Sequence, residues 1–216
     1  MRSRNDGAHS DAHPTALPGL SRTGRVCTKV RTTPATSENA NMPKYLRYSP
    51  ESRPVFLTVK TLPSQPILVD QRDALRRAIE TVQVRRPFTI DAMVLLPDHF
   101  HAVWTMPAED EDFSSRISVI KALFSKQIER IDEAVTASRT ARRERGIWQR
   151  RFYDHLIRDE RDLQNHIDYV HINPVKHGYA QRVQDWPHSS FHRYVGQGTL
   201  PIDWAGDDAT DIDAGE

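Results

Sequence analysis

Two histidines separated by a single residue, His99 and His101, are the strongest candidates for chemistry in this sequence. They lie between the apolar run 90–97 and a second apolar run that ends near residue 107. Both runs predict short β-strands, because they are rich in β-forming residues and are bounded by proline. Residues i and i+2 of a strand point to the same face of a sheet, so both imidazoles could bind one divalent ion. The alternative is a pair of histidines on a polar sheet face without a ligand.

A tyrosine and an asparagine four residues apart form the second candidate group. Tyr169 and Asn173 lie in a segment that predicts a helix over residues 159–173, and positions i and i+4 share one helix face. If this helix packs on the histidine face, an ion held by the histidine pair and the Asn173 oxygen would make a bound phosphodiester electrophilic. Tyr169 could then attack the phosphorus and form a covalent phosphotyrosine. Tyr169 could instead be a packing tyrosine, and Tyr153 is a second candidate for the nucleophile.

Basic and aromatic residues alternate between residues 145 and 153, a mixture typical of surfaces that bind single-stranded nucleic acid. Guanidinium groups neutralise phosphates, and aromatic rings stack on unpaired bases. An edge strand with a solvated, charged face would show the same composition. The residues expected to contact DNA are Arg145, Trp148, Arg150, Arg151 and Tyr153, together with Lys121 and Arg158 outside this segment.

The elements that must position these residues follow the order β-α-β-β-α-β-α, which is the split β-α-β arrangement with one further helix. The sequence therefore predicts an α+β fold: a ferredoxin-like antiparallel sheet with helices on one face, plus an extra C-terminal helix that carries Tyr169. The histidine pair is expected in a central strand, on a sheet face that is free for ligand. The other predicted elements are a strand at 55–61, a helix capped by Asp70 that runs to about Arg86, a helix that opens at Asp112, and a strand at 147–157.

The composition describes an ordinary globular chain without an overall basic charge. The 216 residues carry a net charge of +1, so any basic surface must come from local clustering. The single cysteine, Cys27, excludes an internal disulfide and fits a reducing cytoplasm. No apolar run approaches the ~20 residues of a membrane span, so no membrane partner is expected.

The two ends of the chain differ from the middle in composition. Residues 1–41 lack apolar periodicity and predict a disordered leader, and Met42 could be the real translation start. The leader could instead be a basic arm that touches the DNA backbone. Residues 205–216 predict an acidic, disordered tail, which leaves residues 42–204 as one domain.

Five phrases of the sequence, in order along the chain, resemble a known family. The motif His99-Phe100-His101 is similar to the His-hydrophobe-His motif of single-tyrosine transposases, in particular the REP-associated tyrosine transposases. The resemblance covers about residues 42–204. The phrases that carry it lie at residues 96–101, 146–152, 155–160, 169–178 and 186–191.

The resemblance implies a nicking and rejoining activity on single-stranded DNA that depends on Mg²⁺ or Mn²⁺. The implied substrates are REP-like palindromes, which form short hairpins with a flanking tetranucleotide. Carried over by position, His99 and His101 match metal ligands, Tyr169 the nucleophile and Asn173 the third ligand. The resemblance also implies a monomer that uses its own tyrosine, located in the bacterial cytoplasm with the nucleoid.

Three alternatives stay open at this point. Two imidazoles and an amide would also suit Zn²⁺ by ligand type. The chain could be a regulatory module that binds DNA hairpins without cutting them. An RNA-binding domain of the same topology is a third hypothesis, although histidines stand where such domains carry aromatic side chains on the central strands.

Overall fold

The computed structural model describes residue 51 and the ranges 54–62, 65–128, 137–141 and 144–204, without the side chains of 139 and 140. The predicted leader, the predicted tail and the start of the predicted domain lie outside the described residues, so these boundaries stay predictions. None of the helices within the described ranges is long and apolar enough to cross a membrane.

The described part of the chain contains a four-stranded antiparallel sheet with the strand order β2-β3-β1-β4. This order and the alternation of strands and helices confirm the predicted ferredoxin-like, α+β fold. β3 begins at His99 directly after the tight turn that was predicted at Pro97 and Asp98. The strands are β1 (Pro54–Lys60), β2 (Thr89–Leu95), β3 (His99–Thr105) and β4 (Tyr153–Leu156).

Helices cover both faces of this sheet. α1 and α2 pack against each other and enclose an apolar core with one face, whereas α4 packs against β2 and β3 on the other face. The histidine face is therefore covered by the extra helix and by the chain that follows it, and it is less open than the sequence suggested. The helices are α1 (Arg72–Arg85), α2 (Phe113–Gln127), α3 (Ala137–Ala141), α4 (Glu160–Lys176) and α5 (Phe191–Gly196).

Strand register explains why β3 serves both faces. Its alternate residues point to opposite sides: Phe100 belongs to the apolar core with α1 and α2, while His99 and His101 face α4. In the neighbouring central strand β1, Thr58 pairs with His101 and Lys60 pairs with His99. The central position predicted for the histidine pair is confirmed.

Two of the predicted helix starts are confirmed and one is wrong. The Asp112 side chain accepts a hydrogen bond from the Ser115 amide, and the Asp159 side chain accepts one from the Asp162 amide, as N-caps do. Asp70 does not cap α1, because a turn at residues 68–71 precedes the helix and Gln71 is the cap residue.

Two predicted element bounds were also wrong. The strand predicted at 147–157 is regular only in β4, because Ile147 and Trp148 enter the apolar core after Gly146, whose φ of 72° turns the chain. α4 does not end at Asn173. It continues through Pro174 to Lys176, because the burial of Asn173 and Pro174 outweighs the cost of a proline inside the helix.

The true stop signal of α4 is Gly178, whose φ is +73°. The Gly178 amide donates to the Val175 carbonyl and the Tyr179 amide donates to the Pro174 carbonyl. These two bonds form a Schellman motif, which needs a left-handed residue that glycine adopts without strain. The motif fixes where Tyr179 lies relative to the face of α4 that packs on the sheet.

Candidate functional site

The two histidines of β3 lie side by side, with ring centres 4.8 Å apart. His99 is 3% exposed and His101 is fully buried. Nδ1–H of His99 donates to the Asp98 carboxylate over 2.8 Å, and Nδ1 of His101 shares a 2.9 Å hydrogen bond with the Thr58 hydroxyl. Both bonds fix the rings through Nδ1, so that Nε2 is the nitrogen that can coordinate an ion.

The environment of His99 favours the neutral imidazole that a metal needs. Burial lowers the pKa of His99, and the positive charges of His177 and Lys60 act in the same direction. The hydrogen bond and charge of Asp98 oppose this shift without reversing it. Nε2 of His99 is buried and has no hydrogen-bond partner within the described ranges. Buried ring nitrogens are normally paired, so this one is suited to coordinate a metal ion.

α4 and its C-terminal cap residue place three side chains in one stripe above the histidine pair: Tyr169, Asn173 and the cap residue His177, each one turn apart. The Tyr169 ring packs edge-on against His101 at 5.4 Å, and the His177 ring packs against His99 at 5.1 Å. Asn173, which lies one helical turn from each of these residues, is fully buried. The structure thus brings all four predicted site residues to the same sheet face.

His177 is a functional candidate that the sequence did not reveal. One ring nitrogen of each of His99, His101 and His177 lies within 4.8 Å of the other two, and His177 is exposed. The third ligand of an ion can therefore come from the Asn173 amide, as predicted, or from His177. The sequence signal for His177 is its spacing of four residues from Asn173, which places the two on one helix face. The prediction missed it because it ended the helix at Asn173.

Tyr169 has no exposed surface in this structure. Its ring also contacts Phe56, and its hydroxyl accepts a hydrogen bond from Nζ of Lys176 at 3.4 Å. The ammonium group lies 4.6 Å from the centre of the same ring. Lys176 is exposed, so a long surface side chain is one of the groups that contact the buried phenol.

The residues present suit a divalent ion. Two imidazoles held through Nδ1, with an amide or a third imidazole nearby, form a donor set of borderline softness. Such a set accepts Mn²⁺ or Zn²⁺ readily, and Mg²⁺ when phosphate oxygens and water complete the coordination. The donor chemistry supports a metal site without selecting the ion.

A second cluster consists of His155, Asp162 and His166, whose potential ligand atoms also lie within 4.8 Å of each other. Here the Asp162 carboxylate bridges the two rings: Oδ2 lies 2.9 Å from Nε2 of His155, and Oδ1 lies 3.1 Å from Nδ1 of His166. The Arg158 amide and guanidinium donate to the same carboxylate. Because these hydrogen bonds occupy its ligand atoms, this cluster ties β4 to the start of α4 and is a structural anchor.

The predicted DNA contacts on the α2 side surround a groove of about 740 Å³ between α2 and residues 144–150. Lys121, Arg145 and Arg150 line it. The backbone amide of Gln149, in the wall of this groove, donates to the carbonyl of Lys60 in β1. Lys60 pairs with His99 in β3. The groove is therefore close to the end of the sheet where the metal candidates lie.

Several of these cations already have internal partners. Lys121 donates to the Gln149 carbonyl, and burial lowers its pKa to about 8, although Glu144 opposes the shift. Arg150 pairs with Glu144 at 3.0 Å, and Arg145 donates to the Ile128 carbonyl. Phosphate binding by Arg150 would compete with an exposed ion pair, which is weak.

The remaining predicted contacts lie in different environments. Trp148 is only 8% exposed and packs against Phe124 in the core, so its ring serves packing. Tyr153 is half-buried on the histidine face, where its ring meets Phe56. Arg151 is exposed, and the Arg158 side chain is 75% exposed although it contacts Asp162.

Comparison with known proteins gives a consistent result. The chain is 45% identical over 177 residues to the REP-associated tyrosine transposase of Escherichia coli (strain K12), which covers 81% of this chain and 98% of that protein. A relative from Haemophilus influenzae with the same family description is 44% identical over 139 residues, 64% of this chain and 79% of its own length. No protein-family model matches.

One solved structure aligns over the same part of the chain. It contains a REP-associated tyrosine transposase bound to a REP hairpin, and it superposes with a TM-score of 0.65 at 44% identity. The alignment covers 81% of this chain and 98% of that one. The similarity therefore extends over nearly the whole of the relative, including its fold.

Proposed function

Because the chain belongs to the REP-associated tyrosine transposases, a family of DNA-processing enzymes, we propose that it nicks and rejoins single-stranded DNA at palindromic hairpins. The observation that carries the proposal is the stripe of Tyr169, Asn173 and His177 on α4, which packs on the histidine pair of β3. A REP hairpin is the ligand of the solved relative, and a related hairpin is the substrate proposed here.

The reaction is a transesterification at phosphorus. The Tyr169 oxygen forms a bond to the phosphorus while the bond from phosphorus to the 3′ oxygen breaks. The phenol loses its proton, and the departing 3′ oxygen gains one and becomes a free hydroxyl. The 5′ phosphate stays on Tyr169, so the energy of the phosphodiester is conserved and the reverse attack by a 3′-hydroxyl rejoins a strand.

The residues of the site have different proposed roles. His99 and His101, with Asn173 or His177, would hold Mg²⁺ or Mn²⁺, which when bound polarises the phosphate. Lys176 donates to the Tyr169 hydroxyl from the surface, where its positive charge can also attract a phosphate of the DNA backbone. Since Tyr169 lies against His101 of its own chain, a monomer can complete the site.

DNA binding is proposed for the exposed cations near the site. Arg150, Arg151 and Arg158 have exposed side chains, and Lys121 and Arg145 line the groove beside Gln149. Their role is to neutralise backbone phosphates of the hairpin, which positions the DNA without reading its sequence. Trp148 is left out of this set because the core encloses it.

A regulatory module that binds hairpins without cutting them is the second candidate. The observation that favours it is the complete burial of the Tyr169 phenol. Both functions need the same DNA surface, so binding alone does not distinguish them, and only a covalent product does.

The decisive experiment uses a labelled REP hairpin oligonucleotide with single-stranded flanks. The protein and hairpin are incubated with Mn²⁺, denatured in detergent and separated on a gel. We expect a covalent adduct that Tyr169→Phe abolishes, that EDTA prevents and that the fully base-paired duplex does not give. Tyr153→Phe, on the same sheet face, is the matched control and keeps the adduct. Hairpin binding without any adduct would establish the regulatory alternative.

Metal binding is tested separately by calorimetry with Mn²⁺. His99→Ala and His101→Ala should abolish measurable binding while the protein stays folded. Comparison of Asn173→Ala with His177→Ala then identifies the third ligand, since only the variant that removes it weakens the affinity strongly. Unchanged affinity in both histidine variants of β3 would exclude this metal site.

A further inference from the structure

A row of contacting aromatic rings begins beside the candidate metal site and extends over the neighbouring surface. It consists of His177, Tyr179, Trp186 and His188, and is called the aromatic surface below. Successive ring centres are 6.0, 5.6 and 5.6 Å apart, and His177 in turn packs on His99 at 5.1 Å. Tyr179 is one of the few large apolar side chains exposed within the described ranges, at 44%.

The backbone holds this surface rigidly. The Schellman motif at Gly178 fixes Tyr179 against the end of α4. The Trp186 indole N–H donates to the Leu95 carbonyl at the end of β2, which anchors the second ring to the sheet. Rings that are anchored in this way lose little conformational entropy when a flat ligand binds to them.

Tyr179 also lies close to the groups that support the metal ligands. The Tyr179 ring packs on the ring of His177, and the His177 ring packs on His99, the histidine that Asp98 orients. Lys176, three residues earlier, provides a positive charge at the same helix end. An exposed ring beside a cation and a metal site matches a nucleotide, which carries a flat base and a phosphate.

We propose that the aromatic surface, with Tyr179 at its centre, stacks an unpaired base of the single-stranded DNA that flanks the hairpin. This inference rests on the proposed function, because the strand must enter the histidine site for its neighbouring base to reach Tyr179. Base stacking on an aromatic side chain tolerates any base. The surface therefore positions the flanking strand and does not by itself select its sequence.

The test compares two labelled DNA probes by fluorescence anisotropy: a REP hairpin with a four-nucleotide flank and the same hairpin with a blunt end. Tyr179→Ala should weaken binding of the flanked hairpin about tenfold, the size expected for loss of one stacked base. Binding of the blunt hairpin should not change. Tyr179→Phe keeps the ring and should bind both probes as the unmodified protein does.

Two further arms separate stacking from a structural effect. Abasic sites in the flank should weaken binding to the unmodified protein by a similar factor and should cause no further loss in Tyr179→Ala. A 2-aminopurine base in the flank should lose fluorescence on binding, and Tyr179→Ala should abolish this quenching. Leu156→Ala, which shortens another exposed apolar side chain, is the control and leaves both probes unaffected.

The inference is overturned if Tyr179→Ala weakens both probes equally, or if Tyr179→Phe is as weak as Tyr179→Ala. It is also overturned if the unmodified protein binds the two hairpins equally well. Failure of the proposed function looks different, since the covalent adduct is then absent while the preference for the flanked hairpin and its dependence on Tyr179 are still measurable.

Discussion

The two faces of the central sheet bury different kinds of side chain. The face under α1 and α2 encloses aliphatic and aromatic residues such as Leu57, Phe100 and Phe124. The face under α4 has an apolar cluster of its own, but it also buries His99 and His101 together with other polar groups of β1 and α4, and it is called the polar face below. β1 and β3 contribute to both faces through alternate residues, so the same strands pack against α1 and α2 on one side and carry the candidate site on the other.

This division explains how the protein tolerates a costly site. Buried polar groups are expensive unless they are paired, and several groups under α4 find partners only through specific contacts. Apolar side chains buried on both faces supply the hydrophobic burial that offsets this cost. Substitutions on the two faces should therefore separate loss of stability from loss of function.

The largest expected effect is on the apolar face. Phe124 is fully buried against Trp148, and Phe124→Ala should lower the free energy of unfolding by about 3–5 kcal/mol, because it opens a cavity. Urea denaturation measures the loss. The affinity for Mn²⁺ per folded molecule should stay unchanged. Val119→Ala, on the exposed side of α2, is the control, and a similar loss in both variants would contradict the contrast.

The next effect is a pH dependence on the polar face. Burial raises the pKa of Asp91 to about 6, although the Thr105 hydroxyl and Arg193 oppose the shift. The folded state then binds more protons than the unfolded state between about pH 4 and 6, so this carboxyl reduces stability as the pH rises through that range. A shift of about two pH units corresponds to about 3 kcal/mol.

Asp91→Asn removes this dependence. Relative to the unmodified protein, its free energy of unfolding should rise by up to about 3 kcal/mol between pH 4 and pH 7, as measured by denaturant titration at each pH. Asp203→Asn replaces an exposed carboxylate and should show a constant difference. A constant difference for Asp91→Asn as well would show that the carboxyl ionises freely in the folded state.

The sequence was sufficient to predict the part of the site that depends on local periodicity. The spacing of His99 and His101 on a strand, and of Tyr169 and Asn173 on a helix, gave the shared faces correctly. The strand order followed from the order of the elements. What joined the two pairs was an assumption that the helix packs on the histidine face, and the contact between Tyr169 and His101 supplies that link.

The missed features depend on tertiary contacts. Because the helix was predicted to end at Asn173, His177 and Lys176 were placed outside it, and their positions over the histidines and the phenol could not be inferred. Trp148 was interpreted as a stacking residue because its neighbours are basic, whereas the turn at Gly146 directs it into the core. Burial of that kind is not encoded in a local pattern.

A smaller effect is expected where the polar face orients a ligand. Asp98 accepts a hydrogen bond from Nδ1–H of His99, and Asp98→Asn keeps the shape but removes the charge. The affinity for Mn²⁺ should fall about tenfold to a hundredfold in calorimetry, with little change in stability. Asp154→Asn, an exposed site on β4, is the control. An unchanged affinity would show that Asp98 does not support the metal ligand.

The smallest effect tests how the end of α4 positions the aromatic surface. A Cβ at Gly178 meets no atom within 4 Å, so the cost of Gly178→Ala comes only from its φ of +73° and should be about 1 kcal/mol in urea denaturation. Gly196→Ala adds a methyl group in equally open space without a positive φ and should be neutral or slightly stabilising. Gly178→Asn should recover part of the loss, because asparagine tolerates the left-handed region.

If the Schellman motif is what places Tyr179, Gly178→Ala should also weaken binding of the flanked hairpin and leave the blunt hairpin unaffected. Equal behaviour of the Gly178→Ala and Gly196→Ala variants would show that α4 ends without help from the left-handed glycine.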